Sequence, residues 1–328
     1  MMTPKLVLLA GLTLASLMAP ARAEEPLHLT LGLQESGTVQ WEIAAMQSLG
    51  LDAAHGIELD VRPLADSRAG QIALLTGTVD VILSDFVWVS TQRDTGNMVT
   101  MVPHSLAVGG LMVPEGSAMT GLPGLAGKTI GVAGGPVDKS WVILKAYYNF
   151  ETGDALEDKV SARFGAPPLI NELLASGGID SGLNFWHWNA RAKAMGMKEV
   201  LPVSRMLQGL GVAETPPLLG WSFSDETAAE KTEALTRFLD ASFATKQALL
   251  EEDGIWAGLV DLMRAESDAT LFSALRDDYR AGIVTHYNPN DVTAAEQTFA
   301  LLAEYGGSDL VGDAETLAPG TFWAGYTK

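Results

Sequence analysis

Strand-like and helix-like stretches alternate from Leu27 to Leu201, and few folds accommodate that order. Leu27 to Leu33 has the two-residue alternation of a strand, and Val39 to Ala54 has the apolar period of a helix. Ile57 to Arg62 and Val79 to Leu83 read as further strands, and Arg68 to Thr76 and Asp85 to Arg93 as helices. This βαβαβα order predicts a parallel sheet covered on both faces. A second α/β unit starts near Val113, after which Pro114 to Ser117 break the pattern. Its strands are predicted at Thr129 to Ala133, Val160 to Phe164, Ile179 to Phe185 and Glu199 to Leu201. Its helices are predicted at Asp138 to Asn149, Pro168 to Ala175 and His187 to Met195.

From Asp225 the pattern becomes helical. Ala229 to Glu252 carries Leu235, Phe238, Leu239 and Leu249 at helical spacing, and helices follow at Ile255 to Arg264, Ala269 to Ala281 and Val292 to Tyr305. With no strand left to build, this tail is expected to pack on the first lobe. Leu106 to Val113 and Leu218 to Phe223 are apolar with internal glycine, as two hinge strands between the lobes would be. Ordinary core strands are the equal alternative. The expected division is a first lobe from 24–110 and 220–328, and a second from 111–219.

The N-terminus has the order of a secretory signal peptide at 1–23: Lys5, an apolar run from Leu6 to Met18, then Ala21-Arg22-Ala23. Cleavage is expected between Ala23 and Glu24, releasing a soluble periplasmic protein. The sequence has no cysteine, which excludes a lipid anchor on cysteine, disulfides, thiolate metal sites and a thiol nucleophile. Loss of Lys5 and Arg22 takes the formal charge from −19 to −21, which disfavours nucleic acid and anionic lipid as partners. The five histidines (28, 55, 104, 187, 286) lack zinc-site spacing. Asp154, Glu157, Asp158 and the run Glu251 to Gly254 do not match a calcium loop. No metal and no cofactor are therefore expected.

Four stretches carry a family resemblance: Gly70 to Val81, ending in Gly77-Thr78-Val79-Asp80-Val81; Leu122 to Val132; Gly134-Gly135-Pro136-Val137-Asp138-Lys139-Ser140-Trp141; and Gly178 to Asn184. In this order, between Leu27 and Phe223, they resemble the nitrate/sulfonate/taurine (NitT/TauT, SsuA-like) binding proteins of ABC importers. The resemblance implies a type II periplasmic-binding fold, with two α/β lobes joined by two hinge strands and a helical C-terminal tail packed on the first lobe. It also implies a cleft that closes by hinge bending and an inner-membrane ABC permease with its ATPase as partner. A monomer and a small organic ligand, aromatic or anionic, are expected. The same fold hosts pyrimidine-synthase-like and desulfinase-like enzymes, which is the alternative function.

In open α/β sheets ligands sit beyond the carboxyl ends of the strands, at the starts of the following helices. Four loops take that place. The first offers Gln40 and Trp41, with a core role for Trp41 as the alternative. The second offers Ser84, Asp85 and Trp88; either Ser84 or Asp85 suffices as helix cap, leaving the other for the cleft. The third, Gly134 and Gly135 with Asp138, Lys139, Ser140 and Trp141, exposes backbone N–H groups at a helix start, though Asp138 also serves as a plain N-cap. The fourth brings Asn184, Trp186 and His187 together with Phe185 and Trp188. Trp221, on the second hinge stretch, is a fifth candidate. Because buried indoles need N–H partners, this density of tryptophan predicts a flat or apolar ligand held by indole rings.

Overall fold

Two five-stranded sheets organise the computed structural model, which describes residues 25–328. The signal segment and its cleavage at Ala23 lie outside the described residues. The first lobe begins with β1 (Leu27–Gln34), α1 (Val39–Ser48), α2 (Leu51–Ala54), β2 (Ile57–Leu64), α3 (Ser67–Leu75), β3 (Val81–Asp85), α4 (Phe86–Asp94) and β4 (Val99–Ser105). The chain then builds the second lobe. It runs β5 (Gly110–Val113), β6 (Thr129–Ala133), α5 (Lys139–Thr152), β7 (Ser161–Gly165), α6 (Pro167–Ala175), β8 (Ser181–Asn184), α7 (Trp186–Ala194), β9 (Lys198–Pro202) and α8 (Val203–Gly209). It returns as β10 (Leu219–Ser224) and ends in α9 (Asp225–Glu230), α10 (Thr232–Glu251), α11 (Asp253–Ala257), α12 (Val260–Met263), α13 (Ala269–Ala281), α14 (Pro289–Gly306) and α15 (Ser308–Val311).

The sheets have matching orders, β2-β1-β3-β10-β4 and β7-β6-β8-β5-β9. Each is mixed rather than all-parallel, because β10 runs antiparallel to β3 and β4, and β5 antiparallel to β8 and β9. The cause is the crossing between lobes. A chain leaving one lobe at the carboxyl end of a strand enters the other lobe at the same end. Its next strand must therefore run away from that end. Gly110 accordingly pairs with Asn184 and Pro202, the last residues of β8 and β9, and Leu219 with Asp85 and Ser105, the last of β3 and β4.

The stretches Leu106 to Val113 and Leu218 to Phe223 divide between the two alternatives. Residues 110–113 and 219–223 lie inside the sheets, and the crossings are the connections between β4 and β5 and between α8 and β10. The glycines of the first crossing are set by contact. A Cβ on Gly109 would lie 1.6 Å from the Asn184 carbonyl oxygen, and one on Gly110 would lie 2.9 Å from the Pro202 Cα.

Two of the sequence stretches that carry the resemblance prove to be one device used twice. Gly77 (φ 65°) and Gly177 (φ 74°) turn the chain just after α3 and α6. The carboxylate of Asp80 then accepts the Thr30 N–H at 2.8 Å, and that of Asp180 accepts the Thr129 N–H at 2.8 Å. Each aspartate thereby fastens the start of β3 or β8 to its neighbouring strand, and each is neutralised by a lysine, Lys231 or Lys128.

Leu29, Leu31 and Leu33 alternate into the first core, as the sequence predicts. The single helix expected from Val39 to Ala54 is broken at Gly50, whose φ of 66° no helix accommodates. In the tail, α10 packs on α1, α2, β1 and β2 of the first lobe. The tail also reaches the second lobe, where α13 packs on α7 and α14 on α5.

Candidate functional site

A cavity of about 340 Å³ lies between the lobes. Its walls are the carboxyl ends of β1, β2 and β3, the starts of α1, α3 and α4, the first crossing, and the starts of α5 and α7. Larger depressions, of about 510 and 480 Å³, open on the outside of the first lobe, away from these strand ends.

Helix caps build the polar part of this site. Asp85 ends β3, and its Oδ1 accepts the Trp88 N–H at 2.9 Å, capping α4. Its Oδ2 faces the other lobe and pairs with Lys139 Nζ at 3.2 Å, so one carboxylate both caps a helix and spans the cleft. Lys139 is the first residue of α5, which Asp138 caps by accepting the Ser140 and Trp141 N–H groups at 3.0 and 3.2 Å. Burial pushes the Asp138 carboxyl above the ordinary range, against the lowering effect of those N–H donors and of Lys139. Asp66 caps α3 through the Ala69 N–H at 2.8 Å.

His187 is held at the start of α7 beside Trp186 and Trp188. Its Nδ1 is buried and has no hydrogen-bond partner among the described residues. Burial, aided by the charge of Arg191, lowers its pKa to about 4, so the ring is neutral at pH 7. Ser84 is 6 % exposed, lines the cavity, and makes no side-chain hydrogen bond among the described residues.

The depressed pKa of His187 has a measurable consequence. The unfolded chain, with an ordinary imidazole near 6.5, binds the proton that the folded chain refuses. Stability tied to this residue is thus full above pH 6.5 and is lost as the pH falls towards 4. Urea denaturation at pH 7 and pH 4.5 should show wild type losing roughly 2–3 kcal/mol more than His187→Phe across that interval. Equal losses in the two proteins would show that the ring titrates normally. His104, also buried and lowered, is common to both and cancels.

Of the residues expected to meet ligand, the cavity brings together Ser84, Asp85, Asp138, Lys139, Ser140, Trp186 and His187. The others lie elsewhere. The Gln40 amide donates to the Gln34 carbonyl at 2.9 Å and ties the turn before α1. Gly134 supplies a left-handed turn (φ 93°), and the Gly135 carbonyl accepts the Asp138 N–H. Asn184 is buried, with its Nδ2 donating to the Pro167 carbonyl and Asn171 Oδ1, and its Oδ1 accepting the Phe185 N–H.

Of the tryptophans expected to hold ligand, Trp186 lines the cavity and Trp41, Trp88, Trp141 and Trp221 do not. Trp41, Trp141 and Trp221 are at most 3 % exposed, and Trp88 packs half-buried against the first core. Two of these buried indoles have hydrogen-bond partners inside the protein. Trp41 Nε1 donates to the Leu262 carbonyl at 3.3 Å and Trp221 Nε1 to Ser242 Oγ at 3.0 Å. Trp41, Trp186, Trp256 and Tyr279 form an aromatic cluster, edge-to-face except for the tilted Trp41–Tyr279 pair, that joins α1, α7, α11 and α13. The strand-end rule applied to the loop after β2 would have found Asp66 and Ser67, which also line the cavity.

The fold is shared with solved binding proteins. The aliphatic sulphonate-binding protein SsuA of Escherichia coli superposes with a TM-score of 0.71 at 14 % identity, covering 91 % of this chain and 98 % of that one. The alkanesulfonate-binding protein SsuA of Xanthomonas axonopodis pv. citri, bound to MOPS, gives 0.66 at 16 % identity, with coverage of 92 % and 99 %. The desulfurization enzyme DSZB gives 0.59 at 16 % identity, with coverage of 90 % and 97 %. No curated protein matches the chain significantly. The family model described as NMT1/THI5 like matches residues 43–253, more than half of the 328 residues, and the chain belongs to that family.

Proposed function

We propose that the protein is the exported solute-binding component of an ABC importer, which captures a small organic ligand between its lobes and delivers it to a membrane permease driven by an ATPase. The observation that carries this reading is the cavity itself. It is walled by helix starts from two lobes with separate sheets, and the chain passes between those sheets at two crossings. Such a cavity opens by bending at the crossings and excludes water when it shuts. The sulfonate-binding relatives of the same fold support the reading, and the signal-like segment at 1–23 supports a periplasmic location. No helix among the described residues is long and apolar enough to cross a membrane.

Native mass spectrometry of freshly purified protein should reveal a co-purified metabolite. Adding that metabolite back to stripped protein should shrink its radius of gyration in small-angle scattering. Micromolar affinity, roughly −8 kcal/mol, is within reach of a few directed hydrogen bonds plus one buried ring. Identical scattering curves with and without saturating ligand would overturn the hinge mechanism. Turnover of the metabolite would move the protein to the enzyme class represented by DSZB.

A further inference from the structure

We propose that the inter-lobe cavity is built for a cationic head group on an apolar body, an arylalkylammonium rather than a sulfonate or carboxylate. This rests on the capture reading and specifies its ligand class. Four groups bear charge among the described residues that line the cavity: the carboxylates of Asp66, Asp85 and Asp138 and the ammonium of Lys139, a formal sum of −2. The one ammonium is already engaged, 3.2 Å from Asp85 Oδ2. The neutral His187 adds no positive charge.

Helix starts are the usual anion sites of such clefts, because their N–H groups point at the ligand. Here α3, α4 and α5 each have a carboxylate already on those N–H groups. At these three starts an entering anion would meet aspartate where it needs a donor, which leaves it the starts of α1 and α7, where no side chain caps the helix. A second observation points to a ligand independently of charge. Ser84, 6 % exposed and on the first lobe, lines this space with no side-chain hydrogen bond to the described residues. Its hydroxyl accepts as well as donates, which suits an N–H-bearing head group. Leu64, Val108, Leu218 and Trp186 supply apolar wall for the rest of the molecule.

Lys139 then acts as an internal stand-in for the ligand. Its ammonium occupies Asp85, holds the lobes together and is displaced when a ligand cation arrives. Removing Lys139 relieves that competition, whereas removing the Asp85 charge weakens the ligand directly. Asn at 85 still accepts the Trp88 N–H, so the α4 cap survives.

The test is isothermal calorimetry with two probes, phenethylammonium and MOPS, on wild type, Asp85→Asn and Lys139→Met. Melting temperatures confirm that the variants fold. Phenethylammonium should bind wild type, bind Lys139→Met about tenfold more tightly and bind Asp85→Asn at least tenfold more weakly, with no heat from MOPS. Binding of MOPS that disappears in Lys139→Met would overturn the proposal while leaving solute capture intact. Silence from phenethylammonium in both wild type and Lys139→Met would also overturn it, as would an anionic co-purified metabolite. The capture reading fails separately, if no metabolite co-purifies and no ligand compacts the protein.

Discussion

Glu42→Leu is expected to destabilise the protein by about 3–5 kcal/mol, more than removal of any surface charge. Glu42 and Lys246 are 0 % and 2 % exposed and meet at 2.8 Å, joining α1 to α10. Lys246 Nζ also donates to Ser242 Oγ at 2.7 Å and lies 3.3 Å from His104 Nδ1, while Ser242 Oγ donates to Glu42 Oε1. Burial keeps His104 neutral, so its Nδ1 accepts from the ammonium and the residue is no second cation for Glu42. Burial also lowers the Lys246 pKa, and Glu42 opposes that shift. Without Glu42 the ammonium is left buried and uncompensated.

Two further results distinguish this from ordinary loss of packing. The stability of Glu42→Leu should rise as the pH is raised towards the ordinary lysine value of 10.5, because the unfolded chain binds the proton that the folded one sheds. Glu42→Leu with Lys246→Met should recover most of the loss, since a buried pair replaced by apolar groups is often neutral. Guanidinium denaturation measures both. A single-variant cost below about 1 kcal/mol would show that water reaches the pair.

Gly109→Ala is the second large effect, expected to cost about 3 kcal/mol or more. The obstacle is backbone, since the new Cβ would sit 1.6 Å from the Asn184 carbonyl oxygen at the end of β8. To make room, the first crossing must move away from the second lobe, and its Ala107 is already pressed against Gly282 of the tail. Gly135→Ala is the control. Nothing lies within 4 Å of its Cβ position, and it should change stability by no more than about 0.5 kcal/mol. Comparable losses in the two variants would mean that the crossing has more freedom than its contacts indicate.

Local features were legible in the sequence and long-range pairings were not. The Ala269 to Ala281 helix and the Thr129 to Ala133 strand match their expected bounds, because apolar period and flanking breakers determine them. The strand-end rule located the cavity through Ser84, Asp138 and Trp186. Strand β4 was missed because Pro103 interrupts it; proline is tolerated there because β4 ends the sheet order. The tryptophans misled because an indole's partner is set by tertiary structure. The carbonyl that satisfies Trp41 is 221 positions away. The same holds for Lys139, which pairs with Asp85 across the cleft, and for Lys246, whose partner lies 204 positions earlier. Neither pair leaves a local signature, since each needs both lobes or two distant helices in place first.

The insertion of β10 between β3 and β4 has a consequence for how the chain acquires its shape. The strands from β5 to β9 are consecutive, so the second sheet has all its members once residue 202 has emerged. The first sheet waits: until residues 219–224 arrive, β4 has no place beside β3, although both were made more than a hundred residues earlier. A chain threaded from its N-terminus therefore completes the later-encoded half first. The earlier half stays open along one seam, and a nascent chain stalled between those points would offer chaperones and proteases an unfilled slot there.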